Sequence, residues 1–158
     1  MIRLVSDVKL FLQALSREFP DVFSPPQPRR LARKACAAGE PALRGEAREK
    51  FAERVAHWSG KMGVRANQIR IKDQKSLWGS CSVQGNLNFN WRIIMAPEGI
   101  VDYIVIHELA HLLEMNHSPR FWRHVEAWCP DWRTHRGWLR ANSGFLRALR
   151  YRNMLINK

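Results

Sequence analysis

Apolar residues Leu4, Val8, Phe11, Leu12 and Leu15 recur at helical spacing near the start of the chain, with Asp7 and Lys9 among them. They predict a soluble amphipathic helix. Pro20, Pro25, Pro26 and Pro28 then exclude regular helix, so residues 20–30 read as a linker. The following "LARKACAAGEPALRGEA" carries weak signals and reads as a short helix ending at Gly39. A stronger helix is expected in "EAREKFAERVAHWSGKMG", where Phe51, Val55, Trp58 and Met62 share one stripe and Gly60 and Gly63 stand near the end.

From Ile69 to Met95 the period changes to two. "QIRIKD" alternates, and "SLWGSCSV" and "NLNFNWRIIM" flank a hairpin-type connection at "QGN". Asn88 and Asn90 share one face of their strand, Phe89 and Trp91 the other. Pro97 opens a long helix, "PEGIVDYIVIHELAHLLEMN". Ser118 can cap the next helix and Pro119 suits its first position, so that helix should run to about Trp128 and stop before Pro130. The tail reads as helical in pieces with a frayed end. Helix, antiparallel sheet and further helices make the class α+β.

Composition changes this picture little. A chain of 158 residues, 46% apolar, can fill one core, and no apolar run approaches the length of a membrane span or a secretory leader. Cys36, Cys81 and Cys129 form no CxxC pair, which argues for a reducing, cytoplasmic setting. Charge matters more. Of the net +12, residues 118–158 contribute nine Lys/Arg against two acids, whereas residues 61–117 are nearly balanced, six against five. Such a surplus suits a polyanion such as nucleic acid, and equally suits arginines that are simply solvated.

The chemistry is concentrated in "HELAHLLEMNH". His107 and His111, four apart, project from one helix face a turn apart, which lets two imidazoles share one tetrahedral metal. Glu108 lies about 100° round the helix, too angled for an ideal ligand but able to reach a water on that metal and take its proton. A third ligand is needed, and His117 can supply it if the chain turns back after roughly three helical turns. A left-handed Asn116 would suit that turn. Three histidines and one open position make a catalytic zinc site rather than a closed structural one. Glu114 returns to the ligand face and reads either as orienting a ligand histidine or as a solvated acid.

The same histidine spacing fits metzincin peptidases, which have glycine where this chain has Glu114, and a bacterial family of ribosomal-RNA-processing metalloproteins, which lack the glutamate after the first histidine. Glu108 therefore favours peptide hydrolysis. Read outwards, Lys75 to Leu139 resembles the YgjP-like metallopeptidase family, related to WLM and SprT-like zinc peptidases. The resemblance rests on WGSC at Trp78–Cys81, the Asn-containing strand ending near Trp91, HELAH, the run Asn116–Trp122, Pro130-Asp131 and Trp138-Leu139. It implies a small gluzincin-like α+β fold, zinc on His107, His111 and His117, and Glu108 as base. Leu77 stands where many members carry a basic residue, and the β-rich N-terminal region of many members is missing.

Cys81 reads as a buried strand residue rather than a ligand, and His57, His124 and His135 as packing or surface residues, His124 being the nearest in sequence to serve an oxyanion. Trp122, Trp128, Trp132 and Trp138 read as core beneath the active-site helix; the arginines between them are left open. The expected organisation is an N-terminal helix and linker (1–45), a zinc peptidase domain (46–145) with an antiparallel sheet on the HExxH helix, and a basic tail (146–158). The expected activity is peptide hydrolysis with one Zn2+ per chain, the substrate lying along the strand of Asn88 and Asn90. The alternatives are a DNA-associated peptidase, or a zinc-containing nucleic-acid-binding module without proteolysis. No membrane partner is expected.

Overall fold

Gly39, at φ 72° and ψ 159°, breaks a helix (α1) that otherwise runs from Pro28 to Met62. Here the weak helix ends where expected, because glycine adopts that conformation without a Cβ penalty and Pro41 opens the second segment. The computed structural model describes residues 28–155, with side chains over 39–148. The expected N-terminal amphipathic helix lies outside the described residues, and of Cys36 only the backbone is described. Residues 28–30, expected as linker, start α1, since proline in a first helical turn loses no hydrogen bond.

The second segment of α1 buries Leu43, Ala47, Phe51 and Val55, one residue per turn, and Phe51 stacks on Phe89 at 4.3 Å. Three short strands follow: β1 (Gln68–Lys72), β2 (Gly79–Cys81) and β3 (Asn86–Asn90), in the order β1-β3-β2. The expected hairpin is β2–β3, closed where Gly85, at φ 75°, donates to the Ser82 carbonyl at 2.8 Å. β1, however, pairs with β3 in parallel, so the sheet is mixed rather than antiparallel. The chain between β1 and β2 makes this crossover while tied to the sheet. Asn90 Nδ2 donates to the Gln74 carbonyl at 2.8 Å, and the buried Arg92 forms an ion pair with Asp73.

The third strand also ends earlier than expected. The Asn90 side chain accepts from Arg92 N at 3.2 Å and caps a 3-10 turn over Trp91–Met95. A strand would bury alternate residues, whereas this turn buries Trp91, Arg92, Ile93 and Met95 together.

Helix α2 (Glu98–Ala110) passes through the middle of the protein and is apolar almost all round, with Ile100, Val101, Val105, Ile106 and Leu109 fully or nearly fully buried. Its Asp102 takes a bidentate pair from Arg54 of α1 at 2.5 and 2.7 Å. Helix α3 (Pro119–Trp128) starts as expected, the Ser118 hydroxyl accepting from Phe121 N at 3.3 Å with proline at the first position. The tail is one continuous helix, α4 (Trp132–Leu155), rather than pieces. It is held by a stripe of Trp132, Leu139 and Leu146, seven residues apart and all buried. Trp122 and Trp138 pack on the core as expected, while Trp128 stays exposed.

One core joins all these elements. It runs across the expected divisions at 45/46 and 145/146, because Leu43 and Leu146 are both buried in it. The architecture is a small α+β domain. No helix among the described residues is long and apolar enough to cross a membrane.

Candidate metal centre and substrate cleft

Helix α2 delivers His107 in its last turn and His111 at its C-cap, where φ −66° and ψ −19° keep the helical one-turn separation. The chain then reverses. Leu112 N and Leu113 N bond three residues back to the Leu109 and Ala110 carbonyls at 3.0 Å each. Asn116 is not left-handed, since no non-glycine residue among those described has positive φ. Instead its Oδ1 accepts from Ser118 N at 3.1 Å and shapes the approach to α3. This reversal returns His117 to the other two histidines. Their nearest ring nitrogens all lie within 4.8 Å of one another, and Nε2 of His117 is 3.0 Å from Nε2 of His107.

Three imidazoles gathered this closely suit a cation. Burial, then the neighbouring His111, His117 and Arg136, pushes His107 down to about 3, and burial lowers His111 and His117 as well. All three are thereby held towards the neutral form, whose free lone pair binds a metal. His111 Nδ1 lies 3.2 Å from the Glu114 carbonyl, which orients the ring and leaves Nε2 for a metal. Glu114 thus acts on a histidine through its main chain. Phe121, fully buried, forms the floor, its ring centroid 4.5–4.9 Å from those of all three histidines. Trp122 stacks on Trp132 at 4.1 Å behind it. Cys81, His57, His124 and His135 are not in the cluster.

Glu108 is 4% exposed, and burial pushes its carboxyl up to about 8. A metal cation beside it would favour the ionised form. Its position depends on a residue whose role is not legible as a motif chemistry, Gly79. A Cβ there would stand 2.5 Å from Glu108 Oε1 and 2.8 Å from its Cγ, so only glycine lets β2 pass against this carboxylate. Gly79→Ala should therefore leave the protein folded by circular dichroism yet lower kcat on the order of 10²-fold, because the carboxylate must swing away. Wild-type kcat in that variant would remove the packing argument.

A cleft of about 310 Å³ opens beside His107 and Glu108. Ser76, Leu77, Trp78 and Gly79 form one wall, Tyr103 and Ile104 part of the base, and Arg136, Leu139, Arg140 and Ser143 of α4 the other wall. The two walls are tied together. Arg147 donates to the Ser76 carbonyl at 2.9 Å and lies over the Trp78 ring, whose Nε1 donates to Ser143 Oγ at 3.4 Å. Asn88 and Asn90 do not face an open edge: β3 is the central strand, paired on both sides. Asn88 donates to Ser80 Oγ at 3.1 Å, and the outer edge nearest Glu108 belongs to β2. The strand of Asn88 and Asn90, expected to take the substrate, therefore has no free edge, because a strand already paired twice has no backbone groups left to offer.

No curated protein matches the chain. Among solved structures, it is similar to the crystal structure of the metallopeptidase zymogen of Pyrococcus abyssi abylysin, with 30% identity over 51% of this chain and 80% of that one, and a TM-score of 0.47. A family model, the YgjP-like metallopeptidase domain, matches residues 23–142, reaching well upstream of the stretch from Lys75 that carried the resemblance. That match spans more than half of the chain and includes the three-histidine cluster, Glu108 and all of the cleft lining but Ser143, and the chain therefore belongs to the YgjP-like metallopeptidase family.

Proposed function

We propose that the protein is a zinc-dependent peptidase in which His107, His111 and His117 hold one zinc ion and Glu108 is the general base. The observation that carries this reading is the gathering of three imidazoles within 4.8 Å, with a buried carboxylate on the adjacent residue and a cleft alongside. An all-nitrogen set of three ligands with a position left open fits zinc in its catalytic form. When bound, zinc supplies a Lewis acid that polarises the peptide carbonyl and makes water more acidic.

The protein supplies the rest. A peptide lies along the outer edge of β2, adding a strand to the sheet. Glu108 takes a proton from the attacking water and passes it to the amide nitrogen as the C–N bond breaks. The wall of α4 and the Ser76–Gly79 segment keep the chain over this carboxylate.

Metal analysis of the purified protein should find about one zinc per chain. Hydrolysis of a peptide library should stop on removal of zinc by a chelator and return on its addition. Activity that survives complete metal removal would end the reading.

A further inference from the structure

Two arginines one turn apart on α4, Arg136 and Arg140, line the cleft that holds His107 and Glu108. Both also border a second concavity further out, of about 340 Å³. Of the other arginines of this helix with described side chains, Arg133 pairs with Glu126 at 2.7 Å and Arg147 donates to the Ser76 carbonyl. Arg136 rests over the Trp122 ring at 5.4 Å, and among the described residues no carboxylate pairs with it or with Arg140. The cation–π contact leaves the guanidinium edge, with its fork of donors, uncommitted.

Two cations of like sign on adjacent turns repel one another, and the cleft wall opposite them, Ser76–Gly79, carries no acid. A bound anion relieves that repulsion. Carboxylate is the anion to which a guanidinium fork donates two parallel hydrogen bonds, and it is the anion a peptide carries.

We propose that Arg136 and Arg140 select substrates bearing a carboxylate next to the scissile bond, either an acidic side chain or the free C-terminal carboxylate. This rests on the peptidase reading of the adjoining histidine site. It also assigns part of the basic surplus of residues 118–158 to substrate choice.

The test uses the zinc-loaded full-length protein and sets of short peptides differing only by Glu or Gln at each position around the cleaved bond. Each is made as free acid and as C-terminal amide. Either the Glu peptide at one position should show kcat/KM at least about tenfold above its Gln partner, which assigns a side chain, or the free acid should exceed its C-terminal amide by that factor, which assigns the C-terminal carboxylate. In Arg136→Gln/Arg140→Gln that ratio should fall towards one. Arg140→Glu should shift the preference towards Lys-containing peptides, an inversion that a merely structural role would not produce.

Equal rates within all Glu/Gln pairs and all acid/amide pairs, or a preference untouched by Arg140→Glu, overturns the proposal. Binding of the same peptides, followed by calorimetry, makes the comparison independent of turnover. If no peptide is cleaved, the peptidase reading fails, while equal affinities within both kinds of pair sink the carboxylate inference. A single-stranded oligonucleotide that loses more affinity than the Glu peptide in the double variant would assign the arginines to phosphate, and also overturns it.

Discussion

Replacing Glu108 by glutamine should lower peptide hydrolysis by a factor of about 10²–10⁴ while zinc content and fold are retained. Glutamine has the shape of glutamate and fits the space left by Gly79, but its amide cannot accept the water proton. Elemental analysis and circular dichroism report the two retained properties, and turnover of a cleaved peptide reports the loss. Unchanged turnover, with contaminating proteases excluded, would remove Glu108 as base. The same variant has a pH signature in the metal-free protein. Burial raises the Glu108 carboxyl from 4.5 to about 8, so between these values the folded state holds a proton that the unfolded state has lost. Stability then falls as pH rises through that window. Glu108→Gln lacks this penalty, so its melting temperature should exceed that of the wild type by more at pH 8 than at pH 5.

The second large effect is expected at the third ligand. His117→Ala leaves two imidazoles, and zinc affinity should fall by more than the roughly 10–100-fold that loss of an outer hydrogen-bond partner costs. His117 is exposed and lies in the loop just before the α3 cap, so its removal creates no cavity and the fold should persist. Competition against a chromophoric chelator measures the affinity directly. His124→Ala, outside the cluster, is the control and should bind zinc as the wild type does. Full zinc occupancy of His117→Ala under competition would mean that another group completes the site.

Much of the site could be read along the chain because its determinants are local. The four-residue spacing of His107 and His111 fixes their common face through helix geometry alone, and Ser118-Pro119 marks the start of α3 through its own capping chemistry. The α1 stripe and the break at Gly39 follow from periodicity and from glycine's freedom at positive φ. Features that failed or were missed depend on partners distant in sequence. Trp91–Met95 reads as a continuation of the strand before it, yet the core takes four of its side chains at once, which a turn allows. The pairing of β1 with β3 in parallel is set by the crossover that Asp73 and Gln74 tie to Arg92 and Asn90. Gly79 matters because β2 presses against Glu108, twenty-nine positions later, and the cleft exists because α4 returns its Arg136–Ser143 face to the Ser76–Gly79 segment. Sequence alone thus determined the three histidines and the glutamate of the candidate site, whose geometry is set within a few helical turns. Tertiary packing decided which strand edge is free, what packs against Glu108, and which side chains line the cleft, since those are contacts between segments that no local periodicity encodes.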